Sequence, residues 1–372
     1  MAPNGRGLPG EMPLSLGAMD PLPLEMYAVQ RFSVKNAHCL PPELDPARRF
    51  LEYATMEGQP AGADVLGLGA VAVDDILFLK EFPRPDTKTA VLRRERHAGG
   101  LAGTALVAAR RMGRSCSYAG CLGEDALSLF ILEKLEAEGI SVDHVVRRPG
   151  TQPFYSTILV DTARLTRTIL FDSSGVVGAD ASGPSADYLR SCRVLLVDHA
   201  GMQGMVRAAR IARAAGIPIV ADFERRGEPL QEEIVSLSDH LVLPLDYALE
   251  RTGAADAASS VRGLWDKDRA AVVVTGGAQG AWYASREEPD RVCHQPAFRV
   301  SVVDTNGCGD VFHGAYAAAL CEAMSMAERV RFASAVAALK ATQPGGQQGI
   351  PTRAATDMFL VERGMEALPS RA

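Results

Sequence analysis

Residues 300–320 read VSVVDTNGCGDVFHGAYAAAL. A β-branched run stops at Asp304, and a turn nearly free of side chains follows before Asp310 opens a helical pattern of small residues. The backbone N–H groups of Gly307, Cys308 and Gly309 are expected at a helix start, where exposed amides and the helix dipole attract an anion. A carboxylate in the same first turn stays ionised for the same reason and can take a proton from a hydroxyl beside the cradle. An anion cradle next to a base suits phosphoryl transfer, in which positioning and electrostatics are nearly all a protein supplies. An ordinary βα turn would account for the glycines. It would not account for two flanking acids together with a second glycine-rich turn upstream.

That second turn lies in VVVTGGAQGAWY (272–283), a buried strand, a bare turn and another strand. It offers the flat slot that a nucleotide base needs, or simply a loose turn. HAGGLAGTALVAARRMG (97–113) sets two glycines before a helix rich in small residues, which permits either ligand approach to backbone amides or close helix packing. GLGAVA (67–72) matches the dinucleotide fingerprint G-x-G-x-x-G/A. That fingerprint must open a helix, whereas VDDILFL follows and reads as strand, so a dehydrogenase is disfavoured and Asp74 is expected at a strand tip.

The elements that must position these residues alternate from Asp64 onward. Buried runs such as RVLLVDH, IPIVADF, HLVLP and AAVVVTGG are separated by amphipathic helical stretches. This pattern predicts an α/β fold with a doubly wound, mostly parallel sheet. KTAVLRRERHA (88–98) and PFYSTILVDTARLTRTILFD (153–172) alternate polar and apolar instead. They predict a small antiparallel β lid, with strands from about 84–98 and 152–172, over a site at the strand carboxyl ends. The domain is expected to span 61–372. Residues 1–60, rich in Pro, Gly and Met, read as a poorly ordered extension, or as sequence upstream of a true start at Met56.

Of the 372 residues 47% are apolar and 23% charged, as in an ordinary soluble globular protein, and the net charge of −6 argues against a sequence-independent grip on nucleic acid. No run approaches the roughly 18 apolar residues that would span a bilayer, and no signal peptide is evident. Seven scattered cysteines read as reduced small hydrophobes of a cytoplasmic protein. Cys116 and Cys121 lack a second ligand pair for zinc.

DTNGCGDVFHGA resembles the second signature of the ribokinase-type (PfkB) carbohydrate kinases, usually D-T-x-G-A-G-D. GGLAGTALVAARRMG resembles the first signature, VTGGAQG the nucleotide-binding turn, and ALKATQPGGQQGIPTR (338–353) the C-terminal helix and turn. The likeness covers roughly 64–362 in the family's order. It implies an ATP-dependent sugar kinase that uses Mg2+, with Asp310 as catalytic base and Gly307, Cys308 and Gly309 as the anion hole for the γ-phosphate. It implies Asp74, Gly99 and Gly100 at the sugar hydroxyls and Thr275, Gly277 and Gly280 around ATP. Asp304, Asn306 and the turn Pro344, Gly345, Gly346 match the region where many members bind a monovalent cation such as K+. The lid would also form a homodimer contact.

Three departures matter. Thr104 stands where the first signature usually has Asn. The family's Asn-x-x-Glu would fall at Pro244 to Tyr247 and is absent, which leaves magnesium on ATP and water with Asp198 or Asp222 as helpers. Cys308 replaces the usual alanine, and a thiol at a helix N-terminus tends toward thiolate, so alkylation blocked by ATP is expected. Within the family the likeness is nearest to the sulfofructose kinase branch, where Lys88 takes the place of a sulfonate-binding lysine. The asparagine and arginine that complete that site fall near Phe171 and Ala200, so a neutral or carboxylated ketose fits better. A nucleoside kinase would share every motif but need aromatic stacking from Phe154, Tyr155 or Phe171. A non-catalytic sugar sensor would not need Asp310.

Overall fold

The computed structural model describes residues 62–365, apart from Leu165 and Glu228. The expected N-terminal extension therefore lies outside the described residues. Fifteen strands and ten α-helices follow in order: β1 (Val65–Leu68), β2 (Ala72–Leu79), β3 (Arg93–Gly99), α1 (Leu101–Arg111), β4 (Cys116–Tyr118), β5 (Gly120–Leu122), α2 (Ala126–Ala137), β6 (Val146–Arg147), β7 (Phe154–Asp161), β8 (Thr166–Asp172), β9 (Gly178–Ala179), α3 (Ala186–Ser191), β10 (Val194–Val197), α4 (Met202–Ala215), β11 (Ile219–Asp222), α5 (Gln231–Leu237), β12 (His240–Pro244), α6 (Leu245–Thr252), α7 (Ala257–Leu264), β13 (Ala271–Thr275), β14 (Ala281–Ser285), β15 (Glu288–Gln295), α8 (Cys308–Cys321), α9 (Met326–Ala341) and α10 (Arg353–Val361). Among the described residues no helix is long and apolar enough to cross a membrane.

The main sheet has eight strands in the order β15-β14-β13-β12-β11-β10-β1-β4, parallel from β4 to β13 and closed by the antiparallel hairpin β14–β15. Its central strands are buried on both faces, as their unbroken Val, Ile and Leu runs require, and an apolar cluster packs on each side. The predicted doubly wound sheet is therefore present.

The long apolar run 64–79 does not remain one strand. It breaks at Gly69, whose φ of +134° few L side chains adopt and whose missing Cβ leaves room for the Asp198 carboxylate. Before the break β1 belongs to the main sheet, and after it β2 belongs to a second sheet of order β3-β2-β7-β8. The lid is therefore mixed rather than antiparallel, because β2 pairs parallel with β7. Asp74 sits third in a lid strand, not at the tip of a main-sheet strand. Only 93–99 of the expected 84–98 segment is strand, and residues 80–92, with prolines at 83 and 85 and a positive φ at Asp86, form a loop that carries Lys88.

Two helices aim the site. α8 is buried almost all round, and its Gly314 meets the backbone of Ala105 on α1 so closely that a Cβ there has no room. The small residues of both helices thus allow backbone-to-backbone packing, which brings their glycine-capped N-termini to one place. Packing, not ligand approach, accounts for the small side chains beyond the first turn of α1.

Candidate active site

Both helices begin without a side-chain cap, at Gly100 (φ +87°) and at Gly307 (φ +74°). Capping side chains normally claim first-turn amides, so bare caps leave those amides for something else. At α1 the protein itself uses them: Gly103 N donates to the Ala70 carbonyl, and a Cβ on Gly100 would strike Val71. At α8 the Cys308 amide donates to the Thr305 carbonyl at 3.2 Å, while the amides of Gly307 and Gly309 have no protein acceptor among the described residues. The expected three-amide cradle is thus reduced to Gly307 and Gly309, with the helix dipole behind them.

Asp310 follows in the first turn, partly exposed. Burial pushes its carboxyl well above the ordinary carboxylate range, and the acids Asp222, Glu224 and Asp198 push it further, with His313 opposing them. Asp222 is displaced upward in the same way. Asp198 and Asp222 are buried at the carboxyl ends of β10 and β11, with Glu224 exposed and Asp310 partly exposed, and the four make an acidic floor. Among the described residues no three acidic, His or Cys side chains are close enough together to chelate a metal ion directly. Asp198 is committed structurally, since its two oxygens accept the amides of Ala70 and Ala200 at 2.7 Å each. Tyr247, at the end of the missing Asn-x-x-Glu, is buried and its hydroxyl accepts from Gln231.

The lid presents one row of cross-strand neighbours, His97, Asp74, Ser156 and Phe171, drawn from β3, β2, β7 and β8. Such neighbours share one face of a sheet. Burial raises the Asp74 carboxyl above its ordinary range, while the Ser156 hydroxyl and His97 favour its charged form. The Cβ position of Gly99 lies 2.8 Å from Asp74 Oδ2, so a side chain there would displace that carboxylate. Thr104 is buried and accepts a 3.4 Å hydrogen bond from Gln347, which ties α1 to the C-terminal turn. Its methyl group lies 3.4 Å from where Gly307 would carry a Cβ.

Asp304, Asn306 and Gly345 come together. Asp304 Oδ1 accepts the Asn306 amide at 2.9 Å and Oδ2 accepts the Gly345 amide at 3.0 Å. Thr275, Gly277 and Gly280 border the β13–β14 turn, which makes one 3-10 turn at Gly277–Gln279 and is braced by His294 on the Gln279 carbonyl at 2.8 Å. The apolar side chains of Val302 and Val303, 63% and 62% exposed, lie just before the anion turn.

Lys88 is exposed on its loop, Phe171 is exposed on the lid and Ala200 is buried, and neither of the last two can supply the asparagine or arginine of a sulfonate site. Two expectations at the anion turn fail: burial and neighbouring acids raise the Asp310 carboxyl, so the helix end does not by itself keep it ionised. The Cys308 thiol is pushed up, not down, because burial outweighs the helix end, and Sγ turns toward the Ala337 carbonyl at 3.6 Å. Sequence reasoning also missed His97, Ser156, Glu224 and His313. Only the two-residue period linking His97 to Gly99 and the DVFHG spacing after Asp310 hinted at two of them.

A profile of the pfkB family carbohydrate kinases matches residues 63–353. A ribokinase of Haemophilus influenzae is 28% identical over 303 residues, covering 79% of this chain and 97% of its own length. A nucleoside kinase of Methanothermobacter thermautotrophicus is 27% identical, covering 82% of this chain and 97% of its own. The ribokinase of Arabidopsis thaliana, solved with ribose and ATP, superposes with a TM-score of 0.71 at 20% identity, covering 80% of this chain and 98% of its own, a likeness of fold.

Proposed function

The chain belongs to the pfkB family of carbohydrate kinases, and from that premise we propose that it transfers the γ-phosphoryl group of ATP to a primary hydroxyl of a ketose or related sugar, with Asp310 as general base. The observation that carries this reading is the placement of Asp310 in the first turn of a helix whose glycine cap leaves two amides unclaimed. Asp310 takes the hydroxyl proton, the Gly307 and Gly309 amides receive charge on the transferred group, and Asp74 and Gly99 orient the sugar. The upward-shifted Asp310 carboxyl is a stronger base than an ordinary carboxylate once ionised.

ATP is supported by the Arabidopsis ribokinase, which was solved with ribose and ATP. Its base would meet the turn carrying Thr275, Gly277 and Gly280 and the exposed Val302 and Val303. Magnesium would neutralise phosphate charge. The mutually repelling Asp222, Glu224 and Asp198 carboxyls favour a cation nearby without chelating it, which fits an ion carried by the nucleotide. The lid would exclude water from the reaction. It would also serve as a homodimer contact, since β8 exposes Ile169, Leu170 and Phe171.

Phe171 and Ala200, in place of the asparagine and arginine that would join Lys88, disfavour a fixed sulfonate and support a neutral or carboxylated ketose. Phe171 favours a second reading, a nucleoside kinase, because it is 68% exposed in the same row as Asp74. Product formation from ATP with fructose, ribose, sugar acids, sulfosugars and inosine separates these readings. Turnover of the nucleoside alone would overturn the sugar assignment, and no turnover of any acceptor would leave a sugar-binding sensor.

A further inference from the structure

Lys340 lies in the last turn of α9 with 0% of its surface exposed, and its Nζ donates to the main-chain oxygen of Asp304 at 3.0 Å. A buried lysine is expensive unless its charge is answered. Burial lowers the lysine below its ordinary range and Arg167 opposes its charge, while Asp304, Asp310 and the C-terminal end of α9 favour the protonated form.

The position matters because Asp304, Asn306 and Gly345 form the region where a monovalent cation is expected. Such an ion needs several oxygens with a lone pair turned inward, and no fixed cation beside them. All three Asp304 oxygens already accept: the carbonyl from Lys340, Oδ1 from Asn306 and Oδ2 from Gly345. The Ala341 carbonyl beside them accepts two amides, those of Val303 and Asp304. Arg167 brings a second cation within 4.0 Å of Asp304 Oδ1. With the Lys340 ammonium and the Arg167 guanidinium already beside Asp304, a third cation there is repelled, so this set does not fit potassium.

We propose that the Lys340 ammonium replaces the monovalent cation, so that this protein binds no K+ there and works without it. The ammonium fixes the Asp304 carbonyl and, through it, the segment leading into the anion turn. A covalently attached cation also cannot be diluted away, so the turn holds its shape at any potassium level. The activity arm of the test rests on the kinase reading, and the binding arm does not.

Potassium chloride is replaced by choline chloride at constant ionic strength, and the wild-type protein is followed by thermal unfolding, by thallium-205 NMR with Tl+ as potassium probe, and by phosphoryl transfer. The expected result is an unchanged melting temperature, no bound Tl+ signal and a kcat/KM that potassium does not alter. A melting temperature raised by K+ over choline, or Tl+ binding, overturns the proposal whether or not an acceptor sugar has been found. Lys340→Ala is expected to acquire a Tl+ site and a K+-dependent activity. A folded Lys340→Ala protein that does neither also overturns it. If that variant does not fold, the wild-type Tl+ titration still decides.

Discussion

The imidazole of His313 spans the gap between the anion turn and the central sheet. Its Nδ1 lies 2.8 Å from the carbonyl oxygen of Gly309, the residue before Asp310, and its Nε2 lies 3.0 Å from the Val242 carbonyl on β12. The Asp222 carboxylate is 3.2 Å from the same Nδ1. One buried ring thus fixes the first turn of α8 against the strand ends and touches the acidic floor.

Replacing His313 by Leu fills the space but removes every polar contact. An unsatisfied buried acceptor costs roughly 1–3 kcal/mol, so the urea midpoint is expected to fall by that equivalent. The double variant with Asp222→Asn should cost less than the sum of the single variants, because the two side chains are in contact. Strict additivity in a double-mutant cycle would show that the two side chains do not act together.

The activity of Asp310 carries a sign. A general base works only when deprotonated, and burial with neighbouring acids raises this carboxyl well above 3.8. Activity is therefore expected to be lost as pH falls through an apparent pKa above the ordinary carboxylate range. Asp310→Asn should abolish that acid limb and lower kcat by about 10²–10⁴-fold while leaving sugar KM close to wild type. An acid limb that survives in Asp310→Asn would place the base elsewhere.

The glycines and acids around Asp310 were legible because few structures other than a cradle need a bare turn between carboxylates. The main sheet was legible because strands buried on both faces leave continuous apolar runs. The kink at Gly69 was not, since the residues on both sides are equally apolar and the break is fixed by the distant Asp198. His313 and Lys340 were not legible either. Within a helical run, whether a lone polar residue faces the interior depends on packing against β12 or residues 303–304, which no local pattern records. Cys308 misled for the same reason: position at a helix start argues for thiolate, but the direction of its side chain decides.

Stability should respond to pH through Asp198. Burial pushes it up to about 7 from 3.8, against the amide hydrogen bonds of Ala200 and Ala70. Between those values the folded chain keeps a proton that the unfolded chain has released, so stability is greatest at the acid end and falls as pH rises through the window. Three units correspond to at most about 4 kcal/mol. Urea unfolding at about pH 5 and about pH 8 should show the lower free energy at the higher pH, and Asp198→Asn should flatten that slope. The same slope in Asp198→Asn and wild type would remove Asp198 as its source.

Gly309 separates folding from function. A Cβ built on it meets nothing within 4 Å, in contrast to Gly307, where a positive φ of 74° and the Thr104 methyl oppose any side chain. Gly309 is already helical, so alanine should leave the fold intact and raise stability by up to about 1 kcal/mol. If the Gly309 amide receives a phosphoryl group, the added methyl stands beside the incoming oxygens and obstructs the close approach that the bare turn allows. The expected outcome for Gly309→Ala is an equal or higher melting temperature together with a kcat lowered by at least about tenfold, since one electrostatic donor of this kind is worth 10²–10³-fold. Full activity in a folded Gly309→Ala protein would mean that the phosphoryl group does not approach this amide, and the cradle would then have to be sought elsewhere along the turn.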